Sequence, residues 1–387
     1  MSSKYIKENY KQKSESFFAK AAEIKEKKED IIDLSLGDPD LITAENIIKK
    51  AAEDAKNGHT RYAHPRGEKQ LRIEIKKYYK NNYKAEIKKE EIMLTVGACH
   101  GTFLALTAVL NPGEEVIIPS PYFTPYKDQV KMAGGKAIFI ESKFEDDFKI
   151  DLDKLEKKIN NNTKAILINS PHNPTGAVQS KAVLDKLIEI AEKYDLLILS
   201  DEVYENFDFK NKFHSLINYK NNFERIIILN SFSKTFAMTG WRLGFVIADS
   251  SILNVMQNIN EGICYSASTI SQRAAIEALK NEKKIKSEIR QKFSKRMDYA
   301  YQRLEDNKLF ELADASGTFY IFPKIKNNSI KAEKFALNLL KEEGILVLPG
   351  NDFGANSGEF IRIACTQKLD KLKKAFDKIN HFSDKYI

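Results

Sequence analysis

Short apolar runs alternate along most of the chain with segments that have the spacing of amphipathic helices. Strand-like runs are predicted at 115–119, 136–140, 164–169, 196–200, 225–230 and 244–248. One helix is predicted over 180–194, where apolar residues share a face: Val183, Leu184, Leu187, Ile188 and Ala191. Ser180 and Asp151 are typical N-cap residues for two of these helices. Apolar strands that alternate with helices predict an α/β fold with a mostly parallel central sheet covered by helices.

The pattern changes after about residue 287. A long charged helical pattern over 285–307 is followed by a strand-like segment at 317–323, a helix over 332–343, strand-like segments at 345–348 and 360–364, and a terminal helix. This order predicts a second, smaller α+β unit. We therefore expect an N-terminal arm with part of the small domain over 1–45, a large domain over 46–287 and a C-terminal small domain over 288–387.

The composition is that of a globular protein without a membrane span. The 387 residues are 42% hydrophobic, enough for two domains, and the longest apolar runs are only strand-sized. Three cysteines without paired spacing argue against a disulfide scaffold and against a cysteine-rich metal site, and favour a reducing, cytoplasmic compartment. Glu8 and Glu15 are atypical of a transit peptide, so we expect no such leader.

The formal net charge of +8 does not indicate nucleic-acid binding. Lysine and glutamate alternate along the surface-type helical segments, and only ten of the 62 basic residues are arginine. Nucleic-acid-binding proteins concentrate their basic residues on one stripe. The excess is therefore interpreted as surface composition, with an anionic small molecule as the more plausible ligand.

Polar clusters follow three consecutive predicted strands, at 169–176, 200–204 and 230–234, and the last is extended by 239–244. In a doubly wound sheet, ligands bind at the carboxyl ends of the strands. Each cluster alone also has a purely structural explanation as a turn or a helix cap. A fourth candidate is the turn of small residues Gly97, Ala98 and Cys99 before a helical pattern, because a helix N-terminus binds anions.

Together these clusters contain the groups that pyridoxal 5′-phosphate (PLP) requires of a protein. The cofactor needs an amine for its aldehyde, a carboxylate for its pyridine nitrogen, partners for its ring oxygen, and hydroxyls with a cation for its phosphate. Residues of these types are, in the same order, Lys234; Asp201; Asn173 and Tyr204; and Ser231, Ser233 and Arg242.

The order and spacing of these motifs resemble the class I/II aminotransferases, the aspartate aminotransferase-like family of fold-type I PLP enzymes. The resemblance is carried by Ser-Phe-Ser-Lys at 231–234, Gly-Trp-Arg-Leu-Gly at 240–244, Asn-Pro-Thr-Gly at 173–176 and Asp-Glu-Val-Tyr at 201–204. It runs from about residue 31 to near the C-terminus. It implies an enzyme that moves an amino group between an L-amino acid and a 2-oxo acid, with 2-oxoglutarate as the expected acceptor.

The resemblance also implies a role for each site residue. Lys234 would form the Schiff base and carry a proton, with Asp201 and Tyr204 as the other catalytic residues. The implied cofactor contacts are Gly97, Ala98, Cys99, Phe123 (stacked on the ring), Asn173, Asp201, Tyr204, Ser231, Ser233 and Arg242. Arg362 would bind the substrate carboxylate, with Gly37 and Asn173 beside the substrate. Tyr62 would reach the phosphate in the neighbouring subunit, which implies a homodimer with shared active sites and domain closure on substrate.

The residues leave the substrate and part of the chemistry open. The segment 251–272, where some relatives place an arginine for a second carboxylate, contains none, and Cys99 stands where some aspartate-specific relatives have lysine. Both favour neutral, aromatic or broad amino donors over strict aspartate specificity. A cystathionine β-lyase-like C–S lyase would share every cofactor residue. A PLP-sensing regulatory module is a further alternative, although the segment before residue 31 is too short for a DNA-binding domain.

Overall fold

Residues 16–327 and 329–387 are described by the computed structural model. Residues 1–15, which carry part of the transit-peptide argument and part of the predicted arm, lie outside the described residues. The strands are β1 Ile32–Asp33, β2 Ile92–Thr95, β3 Glu115–Ser120, β4 Lys136–Glu141, β5 Thr163–Asn169, β6 Leu197–Asp201, β7 Ile226–Ser231, β8 Gly244–Ile247, β9 Phe310–Glu311, β10 Tyr320–Ile321, β11 Lys324–Ile325, β12 Ile345–Leu346, β13 Leu348–Pro349 and β14 Ile361–Ala364.

The α-helices are α1 Phe17–Lys25, α2 Glu45–Lys56, α3 Lys69–Tyr83, α4 Gly97–Val109, α5 Pro125–Met132, α6 Leu152–Lys158, α7 Lys181–Lys193, α8 Phe232–Thr235, α9 Ser250–Glu261, α10 Thr269–Lys280, α11 Glu282–Glu305, α12 Ala332–Glu343 and α13 Leu369–Ser383. Short 3₁₀ helices occur at Lys89–Glu91, Phe144–Asp146, Glu205–Phe207, Leu216–Asn218, Lys220–Arg225, Thr239–Trp241, Gly350–Phe353 and Asp384–Tyr386. None of the helices in these described ranges is both long and apolar enough to cross a membrane.

Seven strands form the central sheet in the order β2-β8-β7-β6-β5-β3-β4. All neighbours are parallel except at β8, which runs antiparallel to both β2 and β7. The predicted mostly parallel sheet is therefore confirmed. The connection from β7 to β8 comprises residues 232–243 and includes only short helical turns at Phe232–Thr235 and Thr239–Trp241.

The central strands are apolar throughout because both faces of the sheet are covered. In β5, Ile166 and Ile168 face one hydrophobic cluster, whereas Ala165 and Leu167 face the other. Successive side chains of a strand point to opposite faces, so both sets must be apolar when both faces are buried. The residues of these strands therefore lack the alternation that a half-exposed strand would show.

Local signals at the helix starts also agree with the structure. The Ser180 hydroxyl accepts a 3.3 Å hydrogen bond from the Val183 N–H, and the Asp151 carboxylate accepts one of 3.0 Å from the Lys154 N–H. Each bond satisfies one of the N–H groups that the first helical turn leaves free. Both predicted N-caps are confirmed.

The N- and C-terminal parts of the described chain pack against each other beside the large sheet. Strand β1 pairs in parallel with β12, and β14 lies between β10 and β13 in a small antiparallel sheet. Helix α11 is continuous across residue 287, where we placed a domain boundary. The expected strand over 317–323 is reduced to β10, because Thr318 has a left-handed backbone (φ 63°) that interrupts an extended chain.

Candidate active site

A cavity of about 320 Å³ opens at the carboxyl ends of β5, β6 and β7. The ends of these strands are level, since Asn169 of β5 is in register with Asp201 of β6. Twelve of the fourteen predicted site residues line the cavity: Gly37, Ala98, Cys99, Phe123, Asn173, Asp201, Tyr204, Ser231, Ser233, Lys234, Arg242 and Arg362. Gly97 and Tyr62 do not line it. The sheet topology thus brings together residues that are far apart in the chain.

Lys234 projects into the cavity from the single-turn helix α8. This helix begins where the Ser231 hydroxyl accepts a 3.0 Å hydrogen bond from the Ser233 N–H. The Lys234 Nζ donates a 2.5 Å hydrogen bond to the carbonyl oxygen of Gly37. Burial lowers the pKa of the Lys234 amine to about 8, a shift to which the nearby cations Arg242 and Arg362 add. A neutral, nucleophilic amine is therefore accessible near neutral pH.

Asp201 lies at the end of β6 with its side chain buried. One carboxylate oxygen, Oδ2, accepts a 2.6 Å hydrogen bond from the Tyr126 hydroxyl, and Oδ1 accepts one of 3.2 Å from the Val203 N–H. Burial raises the pKa of Asp201 to about 6, and these two hydrogen bonds oppose the rise. The carboxylate is ionised at neutral pH and held in an apolar, low-dielectric setting.

Several groups that could bind an anion also line the cavity. The hydroxyls of Ser231 and Ser233 lie 2.8 Å apart, and helix α4 begins nearby at Gly97. Gly97 has φ 77°, and a Cβ there would lie 2.8 Å from the Arg242 Nη2. The left-handed backbone at residue 97 favours glycine, and a side chain there would have to displace the guanidinium from this helix start, where the backbone N–H groups of Ala98 and Cys99 belong to the first turn.

Arg362 of β14 lies buried between two aromatic rings. Its guanidinium carbon is 4.4 Å from the centre of the Tyr320 ring and 4.7 Å from that of Phe353. Nη1 donates to the Asn173 side-chain oxygen at 3.0 Å and Nη2 donates to the Ser35 carbonyl at 2.5 Å. Within the described residues Nε is buried without a hydrogen-bond partner. The guanidinium lines the cavity and has more N–H donors than these two contacts use, so it is suited to bind a carboxylate.

Two tyrosines shape the space near Arg362. The hydroxyls of Tyr204 and Tyr320 lie 3.1 Å apart, and both side chains are buried. A Cβ at Gly37 would lie 1.7 Å from the Tyr320 hydroxyl oxygen, so the backbone can pass there only because residue 37 has no side chain. Phe123 lies at the cavity wall, edge-on to Tyr126.

Tyr62 lies outside this cavity. Its side chain is 87% exposed and contacts Tyr265 edge-on, with ring centres 5.3 Å apart. Cavity residues to which the sequence analysis gave no role include Tyr126, Tyr320, Thr102 and Asn169. Tyr126 lies in the first turn of α5, three residues after Phe123, but the sequence carries no signal that its hydroxyl would meet Asp201. Tyr320 also had no signal in the sequence.

The residues present fit PLP. A lysine amine of lowered pKa, a buried carboxylate and an anion cradle of two hydroxyls, a guanidinium and a helix N-terminus line one cavity. The glycine at position 97 keeps the cradle open, because a Cβ there would meet the guanidinium. The Arg362 guanidinium, which has N–H donors beyond those it gives to Asn173 and Ser35, lines the same cavity.

A mostly parallel sheet with these groups at its strand ends is the architecture of a fold-type I, PLP-dependent transferase. The chain belongs to the family described as aminotransferase class I and II, whose model matches residues 29–379. It is a PLP-dependent aminotransferase, as the sequence motifs predicted. These findings confirm the expected family, fold, enzyme class and cofactor.

The similar proteins are aminotransferases over almost their whole length. The aspartate aminotransferase of Pyrococcus horikoshii is 37% identical over 356 residues, which cover 91% of this chain and 90% of that protein. Aromatic-amino-acid aminotransferase 2 of Thermococcus litoralis is 37% identical over 355 residues, with 91% of each chain covered. The solved structure of aspartate aminotransferase from Thermotoga maritima matches with a TM-score of 0.92 at 33% identity, covering 99% of this chain and 100% of that one.

Proposed function

We propose that this enzyme transfers the amino group of a neutral, aromatic or acidic L-amino acid to a 2-oxo acid, with Lys234 as the residue that holds PLP covalently. One observation carries the proposal: the amine of Lys234, the carboxylate of Asp201 and the guanidinium of Arg362 line a single cavity. These are the three groups that the reaction needs for its aldehyde, its pyridine nitrogen and its amino acid carboxylate.

When bound, PLP supplies an electron sink for the negative charge left on the substrate α-carbon after a proton is removed. Asp201 would keep the ring nitrogen protonated, because an ionised carboxylate buried away from water attracts that proton strongly. Asn173 and Tyr204 would contact the ring oxygen, and Phe123 would cover one face of the ring.

Lys234 would act as both base and acid in the reaction. With a pKa of about 8, a useful fraction of its amine is neutral at neutral pH and can accept the proton of the substrate α-carbon. The same nitrogen would hold this proton and could give it up again, so one side chain would serve first as base and then as acid. The Lys234 Nζ lies beside Gly37, because it donates a hydrogen bond to the carbonyl oxygen of that residue.

Two anchors would hold the reactants in place. The substrate α-carboxylate would bind Arg362, whose fork offers two parallel donors, with Gly37 and Asn173 beside it. The phosphate would bind Ser231, Ser233, Arg242 and the first turn of α4. Because both anchors line the same cavity as Lys234, a substrate and cofactor held by them would be confined beside its amine.

Neutral and aromatic amino acids are favoured as donors over aspartate alone. Of the described residues that line the cavity, the cations are Lys234, Arg242 and Arg362, and each already has a role. The segment 251–272 contains no arginine that a partner subunit could supply for a second carboxylate. The names of the similar proteins include both aspartate and aromatic-amino-acid aminotransferases. We propose 2-oxoglutarate as the acceptor.

The active site is proposed to be completed in a cytoplasmic homodimer. Tyr62, Tyr265, Ile263 and Val255 are large apolar side chains that are 42–87% exposed in the single chain. Side chains of this kind are typical of a subunit interface. Tyr62 would then reach the phosphate of the neighbouring subunit. We further propose that residues 288–387, together with part of the described segment 16–45, form a small domain that closes on the large domain over 46–287 when Arg362 binds substrate.

The test is a half-reaction spectrum. The purified enzyme is mixed with single amino acids without an acceptor, and the visible band of the bound cofactor is followed. Loss of the band with particular donors, at a stoichiometry of one 2-oxo acid per site, supports the proposal and identifies the donors. A band that persists while pyruvate and ammonia accumulate from cystathionine or cysteine would instead support a C–S lyase. Absence of a band after addition of PLP would contradict the cofactor assignment to Lys234.

A further inference from the structure

Helix α5 contacts the cavity at three points. The Tyr126 hydroxyl donates to the Asp201 carboxylate at 2.6 Å, and Gln129, one turn later, donates a 2.8 Å hydrogen bond to the carbonyl oxygen of Cys99. The Tyr126 ring packs edge-on against Phe123, with centres 5.4 Å apart and planes at 81°. One short helix therefore connects the carboxylate, the ring wall and the phosphate cradle.

Tyr126 is buried and remains a hydrogen-bond donor. Its side chain is 2% exposed, and burial, together with the charge of Asp201, raises the pKa of its hydroxyl well above the ordinary value of 10. A hydroxyl that does not ionise in the working pH range can only donate its proton to the carboxylate. Since the Val203 N–H occupies the other oxygen, the carboxylate is held at both ends.

The surroundings of Asp201 make the contribution of Tyr126 identifiable. The titratable groups that face this carboxylate are Tyr126 of α5, Cys99 of α4 and Tyr204 after β6. The cations Lys234, Arg242 and Arg362 line the same cavity. Of these groups, only Tyr126 donates a side-chain hydrogen bond to Asp201 among the described residues.

We propose that Tyr126 is a positioning residue, whose hydroxyl orients the Asp201 carboxylate and keeps it ionised for the pyridine nitrogen of PLP. This inference rests on the proposed function of the cavity. The side chain acts through Asp201 and does not itself contact the reacting atoms. The same helix would orient Phe123 and, through Gln129, the first turn of α4, so that ring and phosphate are positioned together.

The test compares Tyr126→Phe with Tyr122→Phe, both made in the full chain. Tyr122 precedes Phe123 in the same turn, but its ring stacks on Phe139 at 4.5 Å and it does not line the cavity. The cofactor is first removed from each protein. PLP is then titrated back and its affinity is measured by absorbance at each pH from 5 to 9. PLP affinity is expected to fall when Asp201 becomes protonated, and in Tyr126→Phe this fall should occur at a pH about one unit higher than in the wild type. PLP binding near pH 6 should therefore be about tenfold weaker in the variant. Tyr122→Phe should leave the profile unchanged.

A second measurement separates positioning from mere packing. In an Asp201→Asn background there is no carboxylate to keep ionised, so adding Tyr126→Phe should change PLP affinity less than about twofold. An equal loss of affinity with and without the carboxylate, or a wild-type pH profile for Tyr126→Phe despite a lower melting temperature, would overturn the inference. Failure of the wild-type protein to bind PLP would instead overturn the proposed function, and this inference with it.

Discussion

The guanidinium of Arg362 donates a 3.0 Å hydrogen bond to the side-chain oxygen of Asn173, which lies 189 residues earlier in the chain. The contact joins β14, in the C-terminal region, to the turn that follows β5 of the central sheet. It fixes the orientation of the guanidinium while Nε remains without a partner in the described residues. A residue proposed to bind the substrate carboxylate thus contacts a residue proposed to bind the cofactor directly.

Replacing Arg362 by lysine should weaken substrate binding far more than cofactor binding. Lysine keeps the charge but cannot form two parallel hydrogen bonds with a carboxylate, so we expect KM for both amino acid and oxo acid to rise about 10- to 100-fold. Steady-state kinetics provide the measurement. Arg225→Lys, which alters an ion pair with the exposed Asp195, is the matched control and should leave KM within about twofold. An unchanged KM for Arg362→Lys would assign the carboxylate to another residue.

Lys234→Ala should abolish turnover in a protein that remains folded. The variant loses both the covalent attachment and the proton carrier, so the single-turnover rate with an amino donor should fall at least about 10³-fold. Stopped-flow absorbance measures this rate, and circular dichroism checks the fold. The exposed Lys371→Ala serves as the control. Wild-type activity in Lys234→Ala would refute the role assigned to Lys234.

Asp201 should lower the stability of the cofactor-free protein at neutral pH. Its pKa is raised from 3.8 to about 6, so the folded protein holds this proton more tightly than the unfolded chain does. The stability that the folded protein gains by holding this proton is fully present below pH 3.8. It is lost as the pH rises through 6, and the loss is at most about 3 kcal/mol in the free energy of unfolding.

Asp201→Asn should therefore stabilise the cofactor-free protein at pH 7 while weakening PLP binding. Urea unfolding at pH 4.5 and pH 7 measures the first effect, and the gain should be larger at pH 7. Equal gains at both pH values would show that ionisation of Asp201 does not contribute.

The ion pair between Arg296 and Asp40 should contribute more to stability than an exposed pair. The Arg296 Nη1 lies 2.7 Å from the Asp40 carboxylate and 3.0 Å from the Thr366 carbonyl, and both charged side chains are at most 15% exposed. Asp40→Asn would leave the guanidinium buried without a counter-charge, at a cost of about 2–4 kcal/mol in the free energy of unfolding. Asp195→Asn, at an exposed pair, should cost less than about 1 kcal/mol. Equal losses in the two variants would contradict the role of burial.

Local elements of this fold were predictable because they depend on near neighbours. Helix α12 occupies the predicted range 332–343, and β5 begins within one residue of its prediction. The reversed direction of β8 was not predictable, since an apolar run looks the same in either direction. The segment 317–323 has strand-like composition, yet the left-handed backbone at Thr318 limits the strand to two residues.

The site was predictable to the extent that its chemistry lies in short motifs. Lys234, Asp201 and Asn173 stand at strand ends, and parallel strands bring such ends together. The contacts of Tyr126 with Asp201 and of Tyr320 with Tyr204 span 75 and 116 residues. Such pairs depend on three-dimensional packing, which one sequence does not reveal. The individual roles of the site residues remain predictions that the variants above test.

The pairing of β1 with β12 joins Ile32 to Ile345 and Asp33 to Leu346. These partners are roughly 300 residues apart, a separation at which closing the loop is slow compared with forming local helices. During synthesis on the ribosome, β1 leaves the exit tunnel long before its partner exists, so its backbone N–H and C=O groups bond to water until Ile345 and Leu346 have emerged. The segment that follows β1 leads to Gly37, whose carbonyl contacts Lys234. The cavity therefore acquires its final wall only when the last tenth of the chain has emerged, and a prematurely terminated chain would expose an open edge to aggregation.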